Sequence, residues 1–309
     1  MNLSTFDLFR SIDSEAAGLI TLSQDQLDSL HVVLLSMADD IMSVCERNHL
    51  TCLISGGTAL GAYREGKFIP WDDDFDLMMP RADYNKLIPL LRQQYSDKYW
   101  IHTPESTKNY GFQVCHIRKK GTKVKTKSDL SNDSEAGANI DIFIVENDPD
   151  NAILRKMHGY LCMFMGLMLS SRRFFRDRKE LLKIVEYSPE KKKVFRTKII
   201  LGGISAILSI NAWTKLTNKV CSLCKNTNSK YVSIPGGRKH YFGEMYIRKD
   251  FCEKRPVIFE GRTWYIPKDV ETYFRALYGD GFRTPPPPEK REKHICWEFD
   301  LGEYTGCRI

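Results

Sequence analysis

The sequence predicts a protein that mixes helices and strands, of the α/β or α+β class. Three observations carry that expectation. A long stretch near the N-terminus has helical apolar spacing, short apolar or alternating runs read as strands, and the two kinds interleave as far as residue 150. With 309 residues, 42% of them hydrophobic and 28% charged, the chain can bury a substantial core as one large domain or two small ones.

Residues 24 to 47 are the clearest helix, with Leu27, Leu30, Leu34, Met37, Ile41 and Val44 recurring at spacings of 3 and 4, and Ser23 placed as its N-cap. Thr51 to Ile54 reads as a buried strand running straight into Ser55-Gly56-Gly57-Thr58, and Ala59 to Arg64 is short and helix-compatible. Phe75 to Met79 is the next strand, stopped by Pro80. A helix follows from Arg81 to about Gln94, with Pro89 predicting a kink or an early end. Gly111 to Ile117 and Thr122 to Thr126 read as neighbouring strands, and Asn139 to Val145 as a strong Ile-rich one.

From Asn151 to Asn228 the pattern turns helical, and after Tyr231 it becomes β-like again. Phe259 to Pro267 predicts a hairpin with Gly261 in the turn, Asp269 to Tyr278 a helix ending at Gly279, and Pro285 to Pro288 an extended segment.

The net charge of +7 is localised. Between Arg172 and Lys198 there are eleven Lys/Arg against four Asp/Glu, an excess equal to that of the whole chain. A basic nucleic-acid binder would spread its charge, so no nucleic-acid partner is expected. Two uncharged stretches, Met157 to Ser171 and Ile199 to Thr214, abut this segment, and each is shorter than the ~20 residues a membrane span needs. One reading is a pair of buried helices with a solvated connector. The other is peripheral contact of residues 157–214 with an anionic membrane. Nine cysteines at irregular spacing do not form a disulfide framework, and the N-terminus lacks the pattern of a signal peptide. A reducing cytoplasmic location is the expectation.

The chemistry concentrates in Trp71-Asp72-Asp73-Asp74-Phe75-Asp76-Leu77. Alternate residues of a strand share a face, so Asp74 and Asp76 present two carboxylates ~6–7 Å apart, opposite Phe75 and Leu77. Such a pair repels itself unless a cation intervenes, and hard oxygen ligands suit Mg²⁺, or Mn²⁺ in its place. Asp141 alternates in the same way with Ile140 and Ile142. If its strand lies beside Phe75–Met79, three carboxylates can hold two metals, or one metal and a base for phosphoryl or nucleotidyl transfer. Asp72 and Asp73 read instead as shaping the turn.

Ser55-Gly56-Gly57-Thr58 offers backbone N–H groups to phosphate oxygens at a helix start, without the spacing of a P-loop or dinucleotide fingerprint. Arg64, Arg81, Arg118 and Lys119 are candidates to clamp a pyrophosphate, with solvated surface charge as the ordinary alternative. Trp71 is a candidate to stack on a base or a quaternary ammonium, core packing being the competing role. His294 and the lone Cys221-x-x-Cys224 pair carry little signal, and zinc is not expected.

The run from Leu53 to Tyr84 resembles the LicD family, the phosphocholine transferases and fukutin-related proteins that modify cell-surface glycans. The resemblance rests on Ser55-Gly-Gly-Thr58, Phe68-Ile-Pro-Trp-Asp-Asp-Asp-Phe-Asp76 and Pro80-Arg-Ala-Asp-Tyr84. Further matches lie at His116 to Thr122, Asn139 to Phe143, Tyr265 to Pro267, Leu277 to Asp280 and Pro285 to His294, with little in residues 151–228.

The resemblance implies an α+β nucleotidyltransferase-fold mixed sheet with flanking helices and a helical insert. Residues 1–150 would be the catalytic core, 151–230 the basic insert, and 231–309 the part completing the core. It implies that Gly56 and Gly57 cradle donor phosphates and that Asp74, Asp76 and Asp141 bind Mg²⁺. It also implies a CDP-linked donor such as CDP-choline. The acceptor would be a glycan or lipid-linked sugar of lipopolysaccharide, teichoic acid or capsule, met at the inner face of the cell membrane. A nucleotidyltransferase using an NTP and a non-catalytic glycan- or nucleotide-binding relative are the alternatives.

Overall fold

After a two-residue strand β1 (Ile20–Thr21), Ser23 opens helix α1 (Gln24–Arg47) with a reciprocal capping box. The Ser23 hydroxyl accepts from the Gln26 N–H, and Gln26 accepts from the Ser23 N–H. The predicted apolar stripe of α1 is its buried face. The computed structural model describes residues 19–126, 135–184, 189–288, 291 and 295–308, and its class is α+β.

The chain continues through β2 (Leu53–Ile54), α2 (Gly56–Glu65), β3 (Phe75–Pro80), α3 (Arg81–Tyr95), β4 (Tyr99–His102), β5 (Cys115–Lys119), β6 (Lys123–Lys125) and β7 (Asn139–Asp148). Next come α4 (Ala152–Arg176), α5 (Arg178–Ile184), α6 (Pro189–Ile204) and α7 (Ile210–Cys221). The last part holds β8 (Tyr231–Ser233), β9 (Met245–Ile247), β10 (Lys254–Phe259), β11 (Arg262–Pro267), α8 (Val270–Tyr278), β12 (Ile295–Cys296) and β13 (Glu298–Asp300).

The main sheet has the order β2-β3-β7-β5-β4, and β8 and β9 continue from the far end of β7. β3 and β7 are parallel while their neighbours are antiparallel, so the sheet is mixed. On one face Phe75, Leu77, Ile140, Ile142, Cys115 and Ile117 are fully buried, in the same core as the α1 stripe. The hairpin β10–β11 turns at Glu260 and Gly261, both at positive φ (47° and 72°), the geometry of a type I′ turn.

Four local expectations change. β6 does not neighbour β5 but pairs with β13, because β5 already has β7 and β4 on its two edges. The strand expected over Gly111–Ile117 begins only at Cys115. α3 spans the expected range without the early end offered for Pro89, running through it to Tyr95, held by the burial of Leu87, Ile88 and Leu91 against the core. The uncharged stretch 199–214 is not one helix: α6 ends at Ile204, Ser209 caps α7, and the two segments meet at 90°.

Among the described residues no single helix is long and apolar enough to cross a membrane. The face of α4 carrying Cys162, Met165 and Leu169 packs on Ile210 and Trp213 of α7. The opposite face leaves Ile153, Met157, Tyr160 and Phe164 more than half exposed.

Candidate active site

The polar face of the sheet is a register of titratable groups. Asp76 of β3 lies opposite Asp141 of β7, Asp141 lies opposite His116 of β5, and His116 lies opposite His102 of β4. One row along, Asn139 lies opposite Arg118. Asp74 sits just before β3, on the same side as Asp76 by alternation.

Acidic and basic halves therefore meet at Asp141. Its Oδ1 accepts from the Asn139 amide and lies 3.5 Å from His116 Nε2, while His116 Nδ1 is 3.3 Å from Arg118 Nη2.

The carboxylates crowd one another. Side-chain oxygens of Asp72, Asp73 and Asp74 lie within 4.8 Å of each other. Burial pushes Asp74 well above the usual carboxylate range, and the charges of Asp76, Asp72, Asp73 and Asp141 push it further. Burial raises Asp141 to about 6, against the Asn139 hydrogen bond and the Arg118 charge, which lower it. On the basic side burial and then Arg118, His102 and Arg173 hold His116 well below its ordinary value, so its imidazole is neutral at pH 7.

The segment before α2 positions Asp76 rather than standing apart from it. The Ser55 N–H donates to the Asp76 carbonyl at 2.9 Å, and Thr58 Oγ1 accepts from the Asp76 N–H at 2.9 Å. Gly56 has φ +53°, and a Cβ there would collide with the Asp76 carboxylate; one on Gly57 would collide with that of Asp72. Both glycines are the clearance that two carboxylates require. The Gly56 N–H donates to the Tyr273 hydroxyl of α8 at 2.9 Å.

The other sequence candidates are dispersed. Asp72 shapes the turn through its backbone, donating to Ile69 and accepting from His31 Nε2 at 2.7 Å, yet its side chain points into the cluster. The expectation that Asp72 and Asp73 serve the turn thus describes only the backbone.

Arg118 is buried on the sheet face beside Asp141, whereas Lys119 lies between the rings of Tyr99 and Tyr304. Arg81 is held by ion pairs to Glu146 and Glu105 and by Asn218, at the opposite end of β3 from Asp76. Arg64 pairs with Glu65 at 2.7 Å at the C-terminal end of α2, about 12 Å of helix from Gly56. Trp71 packs against the core with the Arg291 guanidinium 4.0 Å above its ring. Cys221 is buried at the end of α7, and none of the nine cysteines is disulfide-bonded. His294 and the side chains of Lys191–Lys193 lie outside the described residues.

Sequence reasoning passed over His116, Arg173, Tyr273 and Tyr278. His116 was legible, since it alternates with Arg118 along one strand. Tyr273 and Tyr278, whose hydroxyls feel the charge of Asp76, come from more than 190 residues away without a local signal.

Residues 49–160 match the family model described as the LicD/FKTN/FKRP nucleotidyltransferase domain. Over 288 residues the chain is 25% identical to the lipopolysaccharide cholinephosphotransferase LicD of Haemophilus influenzae, covering 89% of this chain and 97% of that protein.

Proposed function

Residues 49–160 are a LicD-family domain, and from that premise we propose that the chain transfers phosphocholine from CDP-choline to a sugar hydroxyl of lipopolysaccharide or a similar surface glycan, with Mg²⁺ as cofactor. The observation that carries this reading is the in-register Asp76–Asp141 pair, crowded by Asp72–Asp74 and bordered by Arg118 and His116.

The donor set fits the metal. It consists of carboxylate oxygens alone, the hard ligands Mg²⁺ takes, and their mutual repulsion calls for a cation. Asp74, Asp76 and Asp141 would hold it, with Asp72 and Asp73 in reach. When bound, it offsets charge on the transferring phosphoryl group.

The protein's own groups account for the rest. Ser55 and Thr58 fix the Asp76 peptide from both sides, so its carboxylate is aimed before substrate arrives. The acceptor oxygen attacks the phosphorus bearing choline, a new P–O bond forms, and the bond to the bridging oxygen breaks, releasing CMP. An Asp141 oxygen not taken up by the ion is placed to accept the hydroxyl proton. Arg118 faces the leaving phosphate with a planar set of donors.

Peripheral membrane contact is part of the same reading. The exposed α4 stripe of Ile153, Leu154, Met157, Tyr160, Leu161 and Phe164 is accompanied by exposed Lys156, Lys215 and Lys219, a composition suited to an anionic bilayer surface carrying the acceptor.

Incubating the protein with CDP-choline, Mg²⁺ and lipopolysaccharide tests the transfer. CMP release and a phosphocholine mass increment on the glycan are expected. Pyrophosphate release from CTP, with no CMP from CDP-choline, would overturn the donor assignment.

A further inference from the structure

Several cations of the basic segment have evident partners. Arg176 pairs with Asp177 at 2.7 Å, Arg172 donates to the Leu208 carbonyl, and Arg178 donates to Phe175. Arg173 differs. Its guanidinium lies 4.0 Å from the centre of the Phe112 ring, with no hydrogen bond or ion pair to its side chain among the described residues. Phe112 in turn lies 5.0 Å, ring to ring, from His116, the histidine that touches both Asp141 and Arg118. Arg173 thus projects from the insert toward the basic edge of the carboxylate face rather than toward solvent.

Lys198 of α6 sits beside it, 4% exposed, its ammonium on Ser170 Oγ at 3.3 Å and over Phe174. Burial, and then the charge of Arg176, lowers Arg173 to about 10; burial, and then the charge of Arg173, lowers Lys198 to about 8.

A ring face compensates a guanidinium only in part, because its five N–H donors still need acceptors. Among the described residues no carboxylate hydrogen-bonds or ion-pairs with Arg173, and the one whose charge it feels, Asp177, is already engaged by Arg176, so the desolvated guanidinium keeps donors for a further anion. We propose that Arg173, with Arg118 and His116, forms an anion subsite that receives the diphosphate of the donor, so that the helical insert supplies part of the active site. The guanidinium fork matches phosphate oxygens, and a ring N–H of His116 is a further donor beside it. Lys198 sits behind Arg173 and adds to the positive field. This deepens the phosphotransferase reading and rests on it for the identity of the anion.

The test uses the full-length protein with Arg173→Gln and Arg173→Lys. Inorganic pyrophosphate with Mg²⁺ is titrated by thermal shift and calorimetry, and KM and kcat are measured with CDP-choline. Arg173→Gln is expected to weaken pyrophosphate binding about tenfold or more and to raise KM in proportion, with Arg173→Lys between it and wild type. Without ligand, Arg173→Gln should melt no lower than wild type, because the cation it removes is unpaired.

Wild-type pyrophosphate affinity and KM in Arg173→Gln would overturn the subsite while leaving the transfer reaction standing. Arg173-dependent pyrophosphate binding in a protein that releases no CMP from CDP-choline would support the subsite and overturn the proposed reaction.

Discussion

The two halves of the polar sheet face are opposite in charge and alike in condition. On β3 and β7, carboxylates crowd until burial and mutual repulsion raise their proton affinity. On β5 and the insert, burial lowers the proton affinity of His116, Arg118 and Arg173. Each half is costly by itself, and the metal-bound diphosphate proposed as ligand would be complementary to both. The contrast with Arg81 sharpens the point. That arginine is also largely buried, yet it has Glu146 and Glu105, and burial with compensation serves stability rather than binding.

If that contrast holds, Arg81→Ala should have the largest effect on stability. It strands Glu146, which is 3% exposed, and should cost about 3–5 kcal/mol by denaturant unfolding. Arg173→Gln, by comparison, should cost nothing measurable. Equal losses in the two variants would erase the distinction between compensated and waiting charge.

Next in size is Asp76→Asn. It should lower kcat by about 10²–10³-fold while leaving the melting temperature of the metal-free protein unchanged or higher, since it relieves repulsion. Activity within threefold of wild type would remove Asp76 from the reaction.

The acidic half also has a pH signature. Asp141 titrates at about 6 in the folded protein against 3.8 for an ordinary aspartate, so the native state binds its proton more tightly than the unfolded chain. Its contribution to stability is full below pH 3.8 and is lost as pH rises through 6, a change on the order of 3 kcal/mol. Buried His102 and His116 act with the opposite sign, so the comparison is with Asp141→Asn, which keeps both histidines. In EDTA the variant should gain on wild type between pH 4 and 7, read by thermal melts. Mg²⁺ should shrink the gap, and calorimetric Mg²⁺ affinity of the wild type should fall as pH drops through 6.

The smallest effect on stability is expected at the insert's outer face. Replacing Met157 and Phe164 by Ser should change stability by no more than about 0.5 kcal/mol. The same double variant should lose co-sedimentation with vesicles containing anionic lipid, and unchanged co-sedimentation would exclude this face as a membrane surface.

The acidic half was largely legible because strand alternation is local. Asp74 and Asp76 flank Phe75, Asp141 lies between two isoleucines, and a period of two is enough to place all three carboxylates on one face. The pairing of β3 with β7 meets the condition on which Asp141 would join them, and its parallel register sets Asp76 against Asp141. The insert was much less legible. Its uncharged stretches gave helices but neither the 90° break after Ile207 nor which face each helix turns outward. Its basic run gave a charge, not a direction, so Arg173 read like any other of that run's eleven Lys/Arg. Arg81 is the converse: beside the acidic motif in sequence, it leaves the site because β3 carries it to the opposite end of the strand.

By itself, then, the sequence determined a mixed helix-and-strand class, the capped first helix, the hairpin turning at Gly261 and the carboxylate-bearing strand, all fixed by interactions within a few residues. Tertiary structure decided that Asp72 turns into the cluster, that Gly56 and Gly57 are clearance for carboxylates, that Tyr273 closes on the Gly56 N–H, and that Arg173 of α4 stacks on Phe112, the neighbour of His116. Those outcomes depend on contacts between segments tens to hundreds of residues apart. Such contacts leave no period in the chain, because what selects them is the shape and charge of a surface that exists only once the sheet has formed.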